Sequence, residues 1–116
     1  MSYPSYDLTV NQLVRDAYQY AKDSGFDATR PHPGVSIALM HSELSEALED
    51  IRDGHALANL WHDEKGKPCG VPSELADAVI RIADFCGAHG IDLEAAIQQK
   101  MAYNRTRPKM HGGKGF

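Results

Sequence analysis

Residues 72–88, PSELADAVIRIADFCGA, decide the fold that we expect for this chain. Ser73 is suited to cap the start of a helix, and Gly90 ends the helical pattern. Apolar side chains cover most of the circumference of this helix, which is typical of a buried helix. Its narrow polar stripe consists of Glu74, Asp77, Arg81 and Asp84. We therefore expect a central helix whose acidic stripe faces the interior or a cleft.

Three further segments show helical periodicity, and strand-like alternation is not sustained anywhere in the sequence. They cover about residues 8–24, 36–53 and 93–104. Pro31, Pro33 and Gly34 indicate a linker between the first two helices, and the Gly- and Pro-rich residues 54–72 are expected to be mostly loop. Asp92 is suited to cap the last helix. The sequence thus predicts an all-α domain with four helices.

The second helix contains a dense run of acids in residues 41–50, HSELSEALED. No Lys or Arg precedes Arg52 in this helix, and like charges three or four residues apart destabilise a helix by about 0.2–0.5 kcal/mol per pair. On the helical wheel, Glu43 lies closest to the apolar edge, so we expect it to be partly buried. The crowded carboxylates therefore need a compensating cation.

Two helices each present an acid pair at positions i and i+3, where Cβ atoms lie about 5–6 Å apart on one face. The pairs are Glu43 with Glu46 and Glu74 with Asp77. Four carboxylates with few cations nearby suit a hard divalent metal such as Mg²⁺, which completes its shell with water and phosphate oxygens. A buried salt-bridge network with Arg52 and Arg81 explains the same spacing. The spacing alone leaves both interpretations open.

Other metal and nucleotide sites lack their motifs in this sequence. None of the six Glu residues has a His three positions later, which excludes the Glu-x-x-His pairs of a di-iron bundle. HExxH and CxxC are absent, so a zinc site has little support. The phosphate-binding motif GxxxxGK[ST] is absent too, which excludes a P-loop NTPase.

The charges are distributed unevenly along the chain. The net charge is −4, whereas residues 100–116 hold five cations and no acid, which leaves −9 on the first 99 residues. The acidic body argues against a dedicated nucleic-acid surface. In the basic segment, Lys100, Asn104 and Arg107 follow helical spacing and suit an anion such as phosphate. From about residue 108 the alternative is a flexible, solubilising basic tail.

Composition fits one globular domain over residues 1–116, with 42% hydrophobic and 24% charged residues. Cys69 and Cys86 form no CxxC pair, and MSYPSYDLTV lacks the basic-then-apolar pattern of a targeting segment. We therefore expect reduced thiols in a cytoplasmic protein. No apolar run approaches the length of about 20 residues that spans a bilayer, so no membrane partner is expected.

Three stretches resemble the MazG-like, all-α nucleoside triphosphate pyrophosphohydrolase superfamily. They are ALMHSELSEALEDIR (38–52), VPSELADAVIRIADFCGAHGIDLEAAI (71–97) and KMAYNRTRPKMHGGK (100–114). The family pattern is EExxE, a variable spacer and ExxD. SELSE matches its first half except that Ser42 replaces the leading Glu, and Glu74-Leu75-Ala76-Asp77 matches the second half fully. The resemblance covers roughly residues 8–114.

The resemblance implies a four-helix MazG-like bundle that assembles as a homodimer or homotetramer, with sites that draw on more than one subunit. It implies an Mg²⁺-dependent hydrolase, with Mn²⁺ as a possible substitute. The enzyme would split NTP or dNTP into the monophosphate and pyrophosphate, as in house-cleaning of the nucleotide pool. The implied metal ligands are Glu43, Glu46, Glu74 and Asp77, and the implied catalytic acids are Glu43 and Glu46, with Glu46 chosen to activate water. The implied substrate-binding residues are Lys100, Asn104, Arg107, His111 and Lys114.

Two other functions remain open at this point. A nucleotide-sensing or regulatory module would keep the fold without turnover, and Ser42 in place of the family Glu favours it. A structural helical oligomer would instead pair its acids with Arg52, Arg81 and the basic segment. Metal binding separates the structural protein from the other two, and turnover separates the enzyme from the sensor. The preferred base and sugar are not indicated by any motif.

Overall fold

The computed structural model describes residues 8–108, and helices make up most of this part of the chain. The helices are α1 (Val10–Asp23), α2 (Pro33–Arg52), α3 (Val71–Ala88) and α4 (Leu93–Arg105). A short 3₁₀ turn, Phe26–Thr29, lies between α1 and α2. The predicted all-α class and the four helices are confirmed. The expected loop between α2 and α3 also contains two short strands, β1 (Trp61–His62) and β2 (Pro68–Cys69), which pair antiparallel.

The start of α2 differs from the prediction. Pro33 and Gly34, which we assigned to the linker, form its first turn. Proline fits the first position of a helix because its fixed φ is helical. It lacks an N–H group, but an N–H at this position would have no partner within the helix in any case. His32 caps this turn, since its Nδ1 accepts a hydrogen bond from the backbone N–H of Gly34 at 3.0 Å. The assignment of Pro33 to the linker was therefore wrong.

The start of α3 also differs. The helix begins at Val71, and Gly70 occupies the cap position with φ 103°. The hydroxyl of Ser73 does not cap the helix but donates to the carbonyl of Pro68 at 3.0 Å, which ties α3 to β2. At α4 the prediction is confirmed, because the Asp92 carboxylate accepts from the backbone N–H of Ala95 at 3.0 Å.

Both α1 and α2 pack against α3, whereas α4 packs mainly against α1. Gly87 allows α1 and α3 to approach closely, because a Cβ at this position would lie 2.5 Å from Cβ of Tyr18. Arg30 fastens the linker to α3 through two hydrogen bonds to Asp84, at 2.9 and 3.0 Å. The α2–α3 contact is the one that brings the two predicted acid motifs together.

The core of the single chain is built from small side chains. Its buried apolar residues are Ala17, Ala21, Ala47, Val71, Ala78, Ala83 and Cys86. No large side chain in residues 8–108 is fully buried. The expectation that α3 is buried almost all round is wrong for the single chain, since Leu75, Val79 and Ile80 are 46%, 50% and 46% exposed. The reason is that α1 and α2 cover only part of the circumference of α3.

Both cysteines are free thiols, as expected, and burial raises the pKa of the Cys86 thiol. None of the helices in residues 8–108 combines the length and the apolar character that a membrane crossing requires.

Candidate metal centre

Three of the four predicted metal ligands meet at the contact between α2 and α3. Glu43 and Glu46 lie one turn apart on α2, and Glu74 lies in the first turn of α3. Each offers one carboxylate oxygen, and these oxygens all lie within 4.8 Å of one another. We call these three residues the acid cluster.

Glu43 is the buried member of the acid cluster, with 8% of its surface exposed. The predicted partial burial is confirmed. Its Oε1 accepts a hydrogen bond from Nε of Arg81 at 2.7 Å. This ion pair bears out one part of the competing salt-bridge interpretation. The other expected cation, Arg52, lies 3.7 Å from Glu49 instead, and both of those side chains are exposed.

Glu74 has the perturbed acidity in this cluster. Its pKa is raised to about 7, first because burial disfavours the charged form and then because it is hydrogen-bonded to Glu46. The negative charges of Glu46, Asp77 and Glu43 raise its pKa further. Three carboxylates therefore lie together with one ion-paired cation, Arg81, among residues 8–108.

Asp77 lies at the edge of the acid cluster. It is exposed and does not belong to the three residues whose oxygens meet. Its charge still reaches Glu74 and contributes to the raised pKa of that residue. In the single chain, Asp77 is therefore a neighbour of the predicted ligand set rather than a member of it.

Two open grooves flank the acid cluster. The first has a volume of about 640 Å³ and is lined by Glu46 and Glu74 together with Asp50 and Arg52; we call it the Glu46 groove. The second has a volume of about 460 Å³ and lies between α1, the 3₁₀ turn, α2 and α3; we call it the Arg81 groove. Its polar lining consists of Thr29, Arg30, Glu43, Asp77, Arg81 and Asp84. A ligand in either groove would contact the acid cluster.

The predicted substrate-binding residues lie elsewhere in the single chain. Lys100 and Asn104 are exposed on α4, and Arg107 is exposed just beyond it. Because α4 packs mainly against α1, neither groove is lined by these three residues. His111 and Lys114 lie outside the described residues.

Arg30 and Arg81 line the Arg81 groove together with Glu43, and neither of them was predicted from the sequence to bind metal or substrate. Arg81 had a detectable signal, because it follows Asp77 by four residues on the polar stripe of α3. Arg30 had none, since it lies in a Pro-rich linker without periodicity. Each of its three guanidinium nitrogens makes one hydrogen bond: Nε to Asp27 at 3.1 Å, and the two terminal nitrogens to Asp84.

The donor set of the acid cluster fits a hard divalent cation. All its donors are carboxylate oxygens, which Mg²⁺ and Mn²⁺ prefer over nitrogen and sulfur. Mg²⁺ binds oxygen at about 2.0–2.1 Å, so two oxygens on one ion lie at most about 4.2 Å apart. Oxygens within 4.8 Å of one another reach that spacing through small side-chain adjustments.

Comparisons with protein-family models, with curated proteins and with solved structures found no match to this chain. The resemblance to MazG-like pyrophosphohydrolases therefore stays a prediction that rests on the motifs themselves.

Proposed function

We propose that this protein is an Mg²⁺-dependent nucleoside triphosphate pyrophosphohydrolase that releases pyrophosphate and leaves the nucleoside monophosphate. The supporting observation is the acid cluster, in which carboxylates from two helices lie within 4.8 Å of one another. Arg81 makes the one ion pair to this cluster among the described residues. The excess negative charge suits a divalent cation together with a polyphosphate.

Each acid has a role in this proposal. Glu43, Glu46 and Glu74 would hold the cation, with Asp77 beside them. The cation would supply positive charge to the phosphate oxygens as negative charge develops there. Glu46 lines the open Glu46 groove, so we assign it to orient the attacking water and to accept a proton at a carboxylate oxygen. Glu43 would help to hold the cation from the buried side of the acid cluster.

The proposal includes assembly as a homodimer or homotetramer. Large apolar side chains on α2 and α3 stay exposed in the single chain: Leu44, Leu48, Ile51, Leu75, Val79 and Ile82. Large exposed apolar side chains at helical spacing on two neighbouring helices favour an interaction site, and a core of small residues leaves a chain of 116 residues short of buried area. In this proposal a second copy covers these side chains and would bring its own Lys100, Asn104 and Arg107 to the substrate of the first copy.

A nucleotide sensor without turnover is the second candidate, and Ser42 favours it. The Ser42 side chain cannot supply the carboxylate of the family pattern, and its hydroxyl donates to the carbonyl of Ala38 on its own helix at 3.4 Å. A protein with fewer acids at this position would bind fewer cations than the full family motif allows. The two candidates share the acid cluster and differ in turnover.

The deciding experiment is product analysis with Mg²⁺ and a panel of NTPs and dNTPs. Monophosphate plus pyrophosphate is expected, and the ranking of rates would identify the substrate. Glu43→Gln and Asp77→Asn are expected to abolish turnover while helicity, measured by circular dichroism, stays intact. Diphosphate plus orthophosphate would contradict the reaction class. Nucleotide binding without any product, with Mn²⁺ also tested, would replace the enzyme with the sensor.

A further inference from the structure

Arg81 connects the acid cluster to the Arg81 groove. Its Nε donates to Oε1 of Glu43 at 2.7 Å, whereas its two terminal nitrogens make no hydrogen bond to any of residues 8–108. Its side chain is 47% exposed and lines the groove beside Asp77. One end of the guanidinium is therefore fixed, and the other end is open to a ligand.

The fixed end acts on Glu43. The hydrogen bond from Arg81 occupies Oε1 and leaves Oε2 of the same carboxylate for another partner. Carboxylates that bind metals are commonly held by such outer hydrogen bonds, and loss of the outer partner typically weakens metal binding about 10- to 100-fold. Because Glu43 is largely buried, water has little access to take the place of the guanidinium.

The open end has the geometry of a phosphate-binding group. The terminal nitrogens of arginine form a planar fork that matches two phosphate oxygens. Arg30 lines the same groove, but its nitrogens are engaged by Asp27 and Asp84. Arg81 is therefore the cation of this groove whose two terminal nitrogens make no hydrogen bond among the described residues. A phosphate bound there would lie in the groove that Glu43 of the acid cluster also lines.

We propose that Arg81 is a positioning residue for the metal and a binding residue for the substrate. Its Nε holds Glu43 in the orientation that a divalent cation needs, and its terminal nitrogens bind a phosphate oxygen of the nucleoside triphosphate. This inference rests on the proposed function. If Arg81 were purely structural, its removal would have the opposite effect on metal affinity. The loss of a positive charge beside the site would then leave cation affinity unchanged or raise it.

The test is isothermal titration of the full chain, first with Mn²⁺ and then with the Mn²⁺ complex of inorganic tripolyphosphate. Arg81→Gln is expected to weaken Mn²⁺ binding about 10- to 100-fold. Arg81→Lys keeps a cation that can donate to Glu43, so its Mn²⁺ affinity should stay within about threefold of the wild type. Having lost the planar fork, it should bind the tripolyphosphate complex about 10-fold more weakly.

Arg15→Gln is the matched control, because Arg15 is exposed on α1 and bonds to Gln12 of its own helix at 2.9 Å. Both of its affinities should equal those of the wild type. Circular dichroism verifies folding, and Arg81→Met, which keeps the aliphatic stem, replaces Arg81→Gln if that variant unfolds.

Three results would overturn the assignment. If Arg81→Gln bound Mn²⁺ as tightly as the wild type or more tightly, the ion pair with Glu43 would be a structural contact only. Unchanged tripolyphosphate binding in Arg81→Lys would remove the phosphate role. A wild-type chain that binds no Mn²⁺ would instead reject the metal site itself, and with it the proposed function.

Discussion

Arg30 and Asp84 join the α1–α2 linker to α3 through two parallel hydrogen bonds, at 2.9 and 3.0 Å. Their side chains are only 16% and 24% exposed, and the Arg30 guanidinium lies 5.8 Å from the ring centroid of Tyr18. The hydrogen bond to Asp84 is the main cause that raises the pKa of Arg30. This pair fixes the wall of the Arg81 groove.

Replacement of Arg30 should therefore destabilise the fold. Arg30→Gln leaves Asp84 half-buried without its cation, and we expect a loss of about 1.5–3 kcal/mol in the free energy of unfolding, measured with urea. Arg52→Gln is the control, because its pair with Glu49 is exposed at both ends and should contribute at most about 0.5 kcal/mol. Equal losses in the two variants would contradict the structural role of Arg30.

The stability of the metal-free protein should depend on the protonation of Glu74. Its pKa is raised from 4.5 to about 7 in the folded chain, so the folded state binds this proton more tightly than the unfolded state. The contribution of this proton is fully present below about pH 4.5 and is lost as pH rises through about 7. Melting temperatures in EDTA should therefore fall over this range.

Glu74→Gln removes this titration. As pH rises, the melting temperature of the variant should therefore increase relative to that of the wild type. Glu64→Gln, in the exposed loop, should run parallel to the wild type. Saturating Mg²⁺ should restore the wild type at pH 7–8, since the cation replaces the proton. Parallel curves for Glu74→Gln and the wild type would show that Glu74 does not titrate in this range.

Metal affinity should distinguish members of the acid cluster from Asp77. Without nucleotide, Glu46→Gln is expected to weaken Mn²⁺ binding by about 10-fold or more, because it would remove a proposed direct ligand. Asp77→Asn should weaken it less, since Asp77 lies outside the group of oxygens that meet. Calorimetry or Mn²⁺ electron paramagnetic resonance measures both. An Asp77→Asn effect as large as that of Glu46→Gln would mean that Asp77 moves in to bind the ion.

The cap of α4 offers a local test of stability. Asp92→Ala removes the acceptor of the Ala95 N–H and should lower the free energy of unfolding by about 1 kcal/mol. Asp92→Asn keeps an acceptor oxygen, so its free energy of unfolding should decrease much less. Urea unfolding of both variants is the measurement. Equal stability of Asp92→Ala and the wild type would indicate that α4 unfolds separately from the remaining helices.

The exposed apolar side chains of α2 and α3 should control assembly. Val79 is 50% exposed in the single chain, and a glutamate there would place a charge in the proposed interface. Val79→Glu is expected to shift the protein towards monomer in light scattering coupled to size exclusion. Leu57→Glu, at an exposed loop position, should keep the wild-type mass. A monomeric wild type would contradict the proposed assembly.

Much of this fold could be predicted from the sequence because it depends on local interactions. Asp92 acts on a backbone N–H three residues away, and the i, i+3 spacing of Glu43 and Glu46 follows from helix geometry alone. The same reasoning misplaced the start of α3, because Ser73 bonds to Pro68 in the hairpin rather than to its own helix. Propensity alone does not reveal such a competing partner.

The acid pairs, their helices and the burial of Glu43 thus follow from residues within a turn or two of one another. Only tertiary packing decided which side chains share the site. Arg81 reaches Glu43 across 38 positions of sequence, Asp77 stays at the edge of the cluster, and Lys100 lies on a helix that packs against α1. The reason is physical: how one helix crosses another depends on side chains far apart in the chain, and a helical wheel contains no information about them.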